Sequence, residues 1–184
     1  MSLIDKDHRA NTVTVVRLIL SVGLLPLILS GNQVLALGIF IVLASTDCVD
    51  GALARSKHGK ITDVGKWLDP LADKLLVLLP LVAICIVTAN GWIVAATIVI
   101  AVREFGVMWL RRRLHTRHSQ AMPADRLGKV KAVFQMIAVG LILFSQVVSP
   151  LWIQYSANAL LAVAVILTVL SGLHYLNAVF AAKR

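Results

Sequence analysis

Two pairs of aspartates stand within or beside apolar stretches of the sequence, where carboxylates are costly. Asp47 and Asp50 are three residues apart, and Asp69 and Asp73 are four apart. On a helix, both spacings place the two side chains of a pair on one face. Four neighbouring carboxylates repel one another unless cations lie between them, and hard oxygen ligands favour Mg²⁺ or Mn²⁺. The pattern predicts a divalent-metal site, with two ions balancing the four charges.

Small and basic residues accompany the aspartates. Gly51 and Ala54 leave room for a phosphate close to the backbone, and Gly65 lies one helical turn before the second pair. The planar guanidinium of Arg55 can donate two hydrogen bonds to that phosphate. This combination indicates binding of a phosphorylated substrate beside the metal ions.

A purely structural role for the aspartates is the competing interpretation. They would then form salt bridges within the membrane to the nearby cations Lys74, Arg103 and Arg55. The regular spacing of the four acids, and their excess over these cations, favours the metal site.

Composition indicates that the bilayer is the solvent of this chain. Its 184 residues are 59% hydrophobic and 15% charged, and the mean hydropathy is +0.86. Crossing roughly 30 Å of hydrocarbon takes about 20 helical residues, so the length allows about six spans. The apolar runs predict six helices over residues 13–30, 34–54, 67–89, 92–110, 130–149 and 157–180. We therefore expect one all-α membrane domain over residues 1–184, folded as a six-helix bundle.

Nearly all basic residues lie in alternate segments between these runs or in the first turns of the adjoining runs. Apart from Lys74 and Arg103, they occupy the N-terminal segment through Arg17, residues 55–66, residues 111–131 and the C-terminus. Because positively charged loops remain in the cytoplasm, this arrangement predicts that both termini and the aspartate site face the cytoplasm of a cell membrane. The net charge of +9 then favours anionic headgroups and substrates over nucleic acid. Cys48 and Cys85 fall within predicted spans and indicate no disulfide or thiolate metal site.

The aspartate strings resemble the signature of the CDP-alcohol phosphotransferase family, DxxDGxxAR followed by GxxxDxxxD. Here Asp47 to Arg55 and Gly65 to Asp73 match in residue type, with nine residues between them where the signature has eight. Further likeness, greatest to the bacterial phosphatidylglycerophosphate synthases, covers most of the chain. It is carried by Asn11, Thr14, Arg17, residues 68–74, Arg103-Glu104, residues 128–131 and Gln135.

The resemblance implies transfer of a phosphatidyl group from CDP-diacylglycerol to sn-glycerol 3-phosphate, with release of CMP. It assigns Asp47, Asp50 and Asp69 as metal ligands and Asp73 as both ligand and catalytic base. It implies a site for the CDP-lipid, which comprises Asp50, Gly51, Ala54, Arg55 and Gly65. Arg103, Lys129 and Lys131 would bind the phosphate of the acceptor, and a homodimer in contact with membrane lipids is implied.

Alternative functions remain open from the sequence. The same chemistry could use another acceptor: inositol phosphate, serine, or phosphatidylglycerol as in a cardiolipin synthase. An aspartate-rich membrane prenyltransferase also uses metal and diphosphate, but its DDxxD-type motifs differ from the glycine, alanine and arginine string found here. A divalent-cation transporter would need a polar route across the membrane, and the outer halves of the predicted helices contain no acid or base.

Overall fold

In the computed structural model, the described part of the chain forms six helices. The structure describes residues 3–53, 63–115, 126–148 and 150–181, with side chains over 14–46, 71–110, 128–148 and 150–177. The helices are α1 (Leu3–Leu29), α2 (Gln33–Leu53), α3 (Asp63–Thr88), α4 (Gly91–His115), α5 (Arg126–Val147) and α6 (Leu151–Ala181). The described ranges contain no strand. The prediction of an all-α fold is confirmed.

Two helices are followed by short turns that contain a residue in the left-handed backbone conformation. At the end of α1, Gly31 has a φ of 81°; its amide donates to the Ile28 carbonyl at 3.1 Å, and the Asn32 amide donates to Leu27 at 3.0 Å. These are the paired bonds of a Schellman motif. Ala89, with a φ of 48°, lies just past the end of α3. The Asn90 side chain then caps α4 by accepting a bond from the Trp92 amide at 2.9 Å.

The core lies between helices that are paired along their length. α1 packs along α3 and α5 along α6, while α2 contacts α5 and α4 contacts both α3 and α6. Fully buried side chains include Leu24, Phe40, Leu76, Ile100 and Leu143. Phe40 of α2 lies against Gly140 of α5, where an added Cβ would be 3.4 Å from the phenylalanine ring. This packing fixes the helices that carry the charged residues.

Apolar side chains also cover the outside of the bundle. Ile19, Val34, Val102 and Trp152 are each more than 60% exposed, as expected for a surface that contacts lipid rather than water. Four helices contain segments that are long and apolar enough to cross a bilayer: Leu71–Thr88, Gly91–Leu110, Gly128–Val147 and Leu151–Asn177. Within the described residues, α1 and α2 contribute shorter apolar stretches, Thr14–Leu29 and Gln33–Thr46. The chain is a helical membrane protein.

Candidate active site

The aspartates predicted as metal ligands lie on two continuous helices. Asp47 and Asp50 are in the last two turns of α2, and Asp69 and Asp73 are in the N-terminal half of α3. The backbone thus gives each pair the one-face spacing that the sequence predicts. The side chains of Asp47, Asp50 and Asp69 lie outside the described residues, so their convergence stays a prediction.

The residues predicted to bind the CDP-lipid lie at the same helix ends. Gly51 belongs to the last turn of α2, and Gly65 to the first turn of α3. Ala54 and Arg55 follow α2 and fall outside the described residues. The CDP-lipid site therefore stays a prediction, and the structure gives only the positions of Gly51 and Gly65 on their helices.

Asp73, the predicted catalytic base, is paired with a cation from α1. Arg17 Nη1 lies 3.4 Å from Asp73 Oδ1. The arginine side chain is 8% exposed and the aspartate side chain 47% exposed. Asp73 is therefore held from one side by a buried guanidinium while remaining open on another. A base that must meet an incoming hydroxyl requires this combination of orientation and access.

A second charged group is centred on Glu104 of α4, whose side chain is only 7% exposed. Lys74 of α3 donates to its Oε2, and Lys131 of α5 donates to its Oε1. Arg103 Nη1, from the same helix, lies 3.1 Å from Oε1. We call these four side chains the Glu104 cluster. The four side chains come from three helices and lie within candidate membrane spans. Charged groups there are energetically costly, which indicates that the cluster has a function.

Helix α6 contributes the surroundings of Arg103. Arg103 Nη2 donates a hydrogen bond to the hydroxyl of Ser171, which is fully buried. At the next residue, Gly172, an added Cβ would lie 3.2 Å from Arg103 Cγ. The arginine side chain therefore occupies the space that a larger residue at position 172 would take.

The structure brings two of the three predicted acceptor-binding cations together. Arg103 and Lys131 both contact Glu104, whereas Lys129 is exposed on α5. Lys129 and Lys131 are two residues apart, which is a rotation of roughly 200° around the helix axis. Their side chains therefore leave α5 in different directions. The assignment of Arg103, Lys129 and Lys131 to the acceptor phosphate stays a prediction. The structure shows that Lys74 also contacts Glu104.

Three features of this region were not predicted from the sequence. The pairing of Arg17 with Asp73 joins residues 56 positions apart. Lys74 and Arg103 were considered as partners for aspartates, and the structure shows both in contact with Glu104. Ser171 is a small polar residue in an apolar helix, with no neighbour in sequence that marks it. The available signal was the costly position of Glu104, and of the cations Arg17, Lys74 and Arg103, within apolar runs.

Comparison with known proteins places this sequence in a family. The sequence pattern of the CDP-alcohol phosphatidyltransferases matches residues 7–170, which include both aspartate pairs, Arg17 and the whole Glu104 cluster. This chain belongs to the CDP-alcohol phosphatidyltransferase family. It is accordingly an enzyme of the phosphatidyltransferase class.

Relatives within the CDP-alcohol phosphatidyltransferases carry consistent names. The chain is 41% identical over 140 residues to a CDP-diacylglycerol--glycerol-3-phosphate 3-phosphatidyltransferase of Bacillus subtilis, covering 76% of this chain and 70% of the relative. It is 36% identical over 143 residues to the protein of that name from Escherichia coli K12, covering 76% and 75%. A probable phosphatidylglycerophosphate synthase of Mycobacterium tuberculosis is 36% identical over 172 residues, covering 90% and 78%.

Proposed function

We propose that this chain transfers the phosphatidyl group of CDP-diacylglycerol to sn-glycerol 3-phosphate, yielding phosphatidylglycerophosphate and CMP. The family and the names of the relatives support the donor and the reaction. The observation that carries the choice of acceptor is the Glu104 cluster, in which Lys74, Arg103 and Lys131 converge within candidate membrane spans. Clustered ammonium and guanidinium groups suit an acceptor that bears a phosphate.

Divalent metal fits the donor set that the helices present. Asp47 and Asp50 on α2, and Asp69 and Asp73 on α3, offer carboxylate oxygens at one-face spacing, the chemistry that Mg²⁺ and Mn²⁺ prefer. We propose that these four residues hold two ions. When bound, such ions neutralise diphosphate charge and withdraw electron density from the phosphorus under attack.

The chain's own residues then account for the movement of the proton and of the phosphatidyl group. Asp73 accepts the proton of the acceptor hydroxyl, and Arg17 keeps that carboxylate oriented. The hydroxyl oxygen forms a bond to the phosphorus of the phosphatidyl group. The bond from that phosphorus to the bridging oxygen breaks, and CMP departs with the electron pair. Asp50, Gly51, Ala54, Arg55 and Gly65 are proposed to hold the cytidine diphosphate during this exchange.

We further propose six spans with both termini in the cytoplasm of a bacterial cell membrane, and a homodimer surrounded by membrane lipids. The orientation rests on the distribution of basic residues, because the connections between α2 and α3 and between α4 and α5 are basic. This orientation gives soluble glycerol 3-phosphate access from the cytosol, while the acyl chains of the donor remain in lipid.

The test of the reaction uses purified protein in lipid nanodiscs with CDP-diacylglycerol, Mg²⁺ and glycerol 3-phosphate. CMP and phosphatidylglycerophosphate are measured in the same samples. We expect the two products in equal amounts, and neither product when glycerol replaces glycerol 3-phosphate. Release of CMP without the lipid product would mean hydrolysis rather than transfer and would contradict the proposal.

A further inference from the structure

The Glu104 cluster carries a charge that matches one particular ligand chemistry. Three cations, Lys74, Arg103 and Lys131, face a single carboxylate, so the four side chains sum to +2. A phosphate monoester carries a charge of about −1.5 to −2 at pH 7. Because uncompensated charge is costly at membrane depth, binding such an anion would bring the group close to neutrality.

Glu104 is the residue that holds the three cations close to one another. Its Oε2 accepts from Lys74 of α3, and its Oε1 accepts from Lys131 of α5 and Arg103 of α4. Three cations this close repel one another in a medium of low dielectric constant, and the carboxylate offsets that repulsion. If Glu104 lost its charge, the three cationic side chains would move apart toward other anions or water.

Ser171 and Gly172 fix Arg103 from the opposite side. The Ser171 hydroxyl accepts a bond from Nη2 while Nη1 contacts Glu104, so the plane of the guanidinium is defined by partners at both ends. Gly172 leaves room for the arginine stem, which is 3.2 Å from where a Cβ would be. Two residues of α6 therefore determine where the arginine fork points.

We infer that Glu104, Ser171 and Gly172 are positioning residues that arrange Lys74, Arg103 and Lys131 into one binding site for the phosphate monoester of the acceptor. The inference rests on the proposed function and deepens it, because it names the residues that position the phosphate-binding cations. These residues act on acceptor affinity through the cations and have no role in donor binding.

Two mild substitutions in α6 test the inference. Ser171→Ala removes the hydroxyl that holds Arg103, and Gly172→Ala inserts a methyl group against the arginine stem. Direct loss of one hydrogen bond to a charged group changes affinity roughly tenfold to a hundredfold, and the effect here should be smaller because Ser171 acts on the acceptor only through Arg103. We expect the KM for glycerol 3-phosphate to rise about threefold to tenfold in each variant, with the KM for CDP-diacylglycerol unchanged.

Matched controls exist elsewhere in the bundle. Ser145 is a buried serine on α5 whose hydroxyl donates to the Ile142 carbonyl. Gly140 is a helical glycine where an added Cβ would be 3.4 Å from Phe40. Ser145→Ala and Gly140→Ala should leave the KM for glycerol 3-phosphate unchanged. Equal effects in test and control variants would mean that the α6 substitutions act only through packing, and would overturn the inference.

Glu104→Gln tests the carboxylate directly, since it keeps the shape and removes the charge. We expect at least a tenfold rise in the KM for glycerol 3-phosphate, with partial recovery in Glu104→Asp. If Glu104 only offsets charge, its removal should leave acceptor binding unchanged or make it tighter, and that result would refute the positioning role. Should Glu104→Gln fail to fold, the Ser171 and Gly172 variants decide the question.

A binding measurement separates this inference from the proposed reaction. Inorganic phosphate should raise the thermal unfolding midpoint of the wild-type protein relative to equal ionic strength of chloride, and Ser171→Ala should reduce that shift. Protection of this kind without turnover of glycerol 3-phosphate would defeat the proposed acceptor alone. A different result would overturn the inference alone: the wild type turns over glycerol 3-phosphate, but the variants show neither a selective rise in the KM for glycerol 3-phosphate nor a smaller thermal shift with phosphate.

Discussion

At the scale of single residues, Asp73 is the one of the four signature aspartates whose side chain lies in the described part of the structure. Its contact with Arg17 and its open side suit proton acceptance from an acceptor hydroxyl. Asp73→Asn should lower kcat by about 10² to 10⁴-fold, the usual contribution of a general base, while CDP-diacylglycerol still binds. Turnover and binding of the nucleotide-lipid are measured on the same preparation. A proportional loss of binding would mean that Asp73 is chiefly a metal ligand.

Arg17 provides a second test at this scale. Because its guanidinium is buried beside Asp73, Arg17→Gln leaves the carboxylate without this partner and should lower kcat about tenfold or more through misorientation. Arg17→Lys keeps the charge but not the planar fork, so we expect partial activity. Steady-state kinetics of both variants check the prediction. Equal activity of the glutamine variant and wild type would show that the pair is incidental.

At residue scale, the helices that carry the aspartates could be predicted from the sequence, because local spacing carries that information. The positions of Asp47 and Asp50 on one helix, and of Asp69 and Asp73 on the next, follow from spacing and hydropathy and agree with the helices observed. The partners of Glu104 depend on packing among α3, α4 and α5. That packing is a tertiary property which one sequence does not encode in any local pattern.

At the scale of helices, hydropathy located all six elements but misplaced several ends. Helix α1 begins at Leu3 rather than near residue 13, and α6 begins at Leu151 rather than near residue 157. The reason is physical: an apolar run ends where polar residues begin, whereas a helix continues through polar residues until its backbone is capped. The turns at Gly31 and Asn90 were located well because glycine and asparagine suit helix ends.

The proposed orientation of the helices is tested by labelling. In a background lacking Cys48 and Cys85, single cysteines at Asn32, Asn90 and Gln154 should react with an impermeant thiol reagent added outside spheroplasts. A cysteine at His115 should react only after the membrane is opened, since positively charged connections remain inside. Reaction of the Asn90 cysteine only from the cytoplasmic side would contradict the six-span arrangement.

At the scale of the whole molecule, two charged groups of residues are proposed to divide the binding of donor and acceptor between them. The aspartates of α2 and α3 are proposed to hold metal and diphosphate, and the Glu104 cluster is proposed to hold the acceptor phosphate. Lys74 follows Asp73 directly in α3, so this helix joins the two groups. The proposed arrangement would let a 184-residue chain bind a lipid nucleotide and a small phosphate at the same time.

Metal dependence follows from the proposed aspartate site. Excess chelator should abolish turnover, and Mg²⁺ or Mn²⁺ should restore it, because four carboxylates and a diphosphate repel one another without cations. Asp47→Asn removes one ligand charge and should raise the Mg²⁺ concentration needed for half-maximal activity by about tenfold or more. Titration of activity against free metal measures both effects. Full turnover in excess chelator would exclude this role for the aspartates.

The central claim, that a cationic cluster selects glycerol 3-phosphate as the acceptor of a phosphatidyl group, is tested most directly by competition. Wild-type protein with CDP-diacylglycerol and Mg²⁺ is offered equimolar glycerol 3-phosphate, inositol phosphate, serine and phosphatidylglycerol, and the lipid products are identified by mass. We predict that phosphatidylglycerophosphate dominates, and that Arg103→Ala and Lys131→Ala raise the KM for glycerol 3-phosphate more than that for CDP-diacylglycerol. Preferential consumption of serine, inositol phosphate or phosphatidylglycerol would contradict the claim.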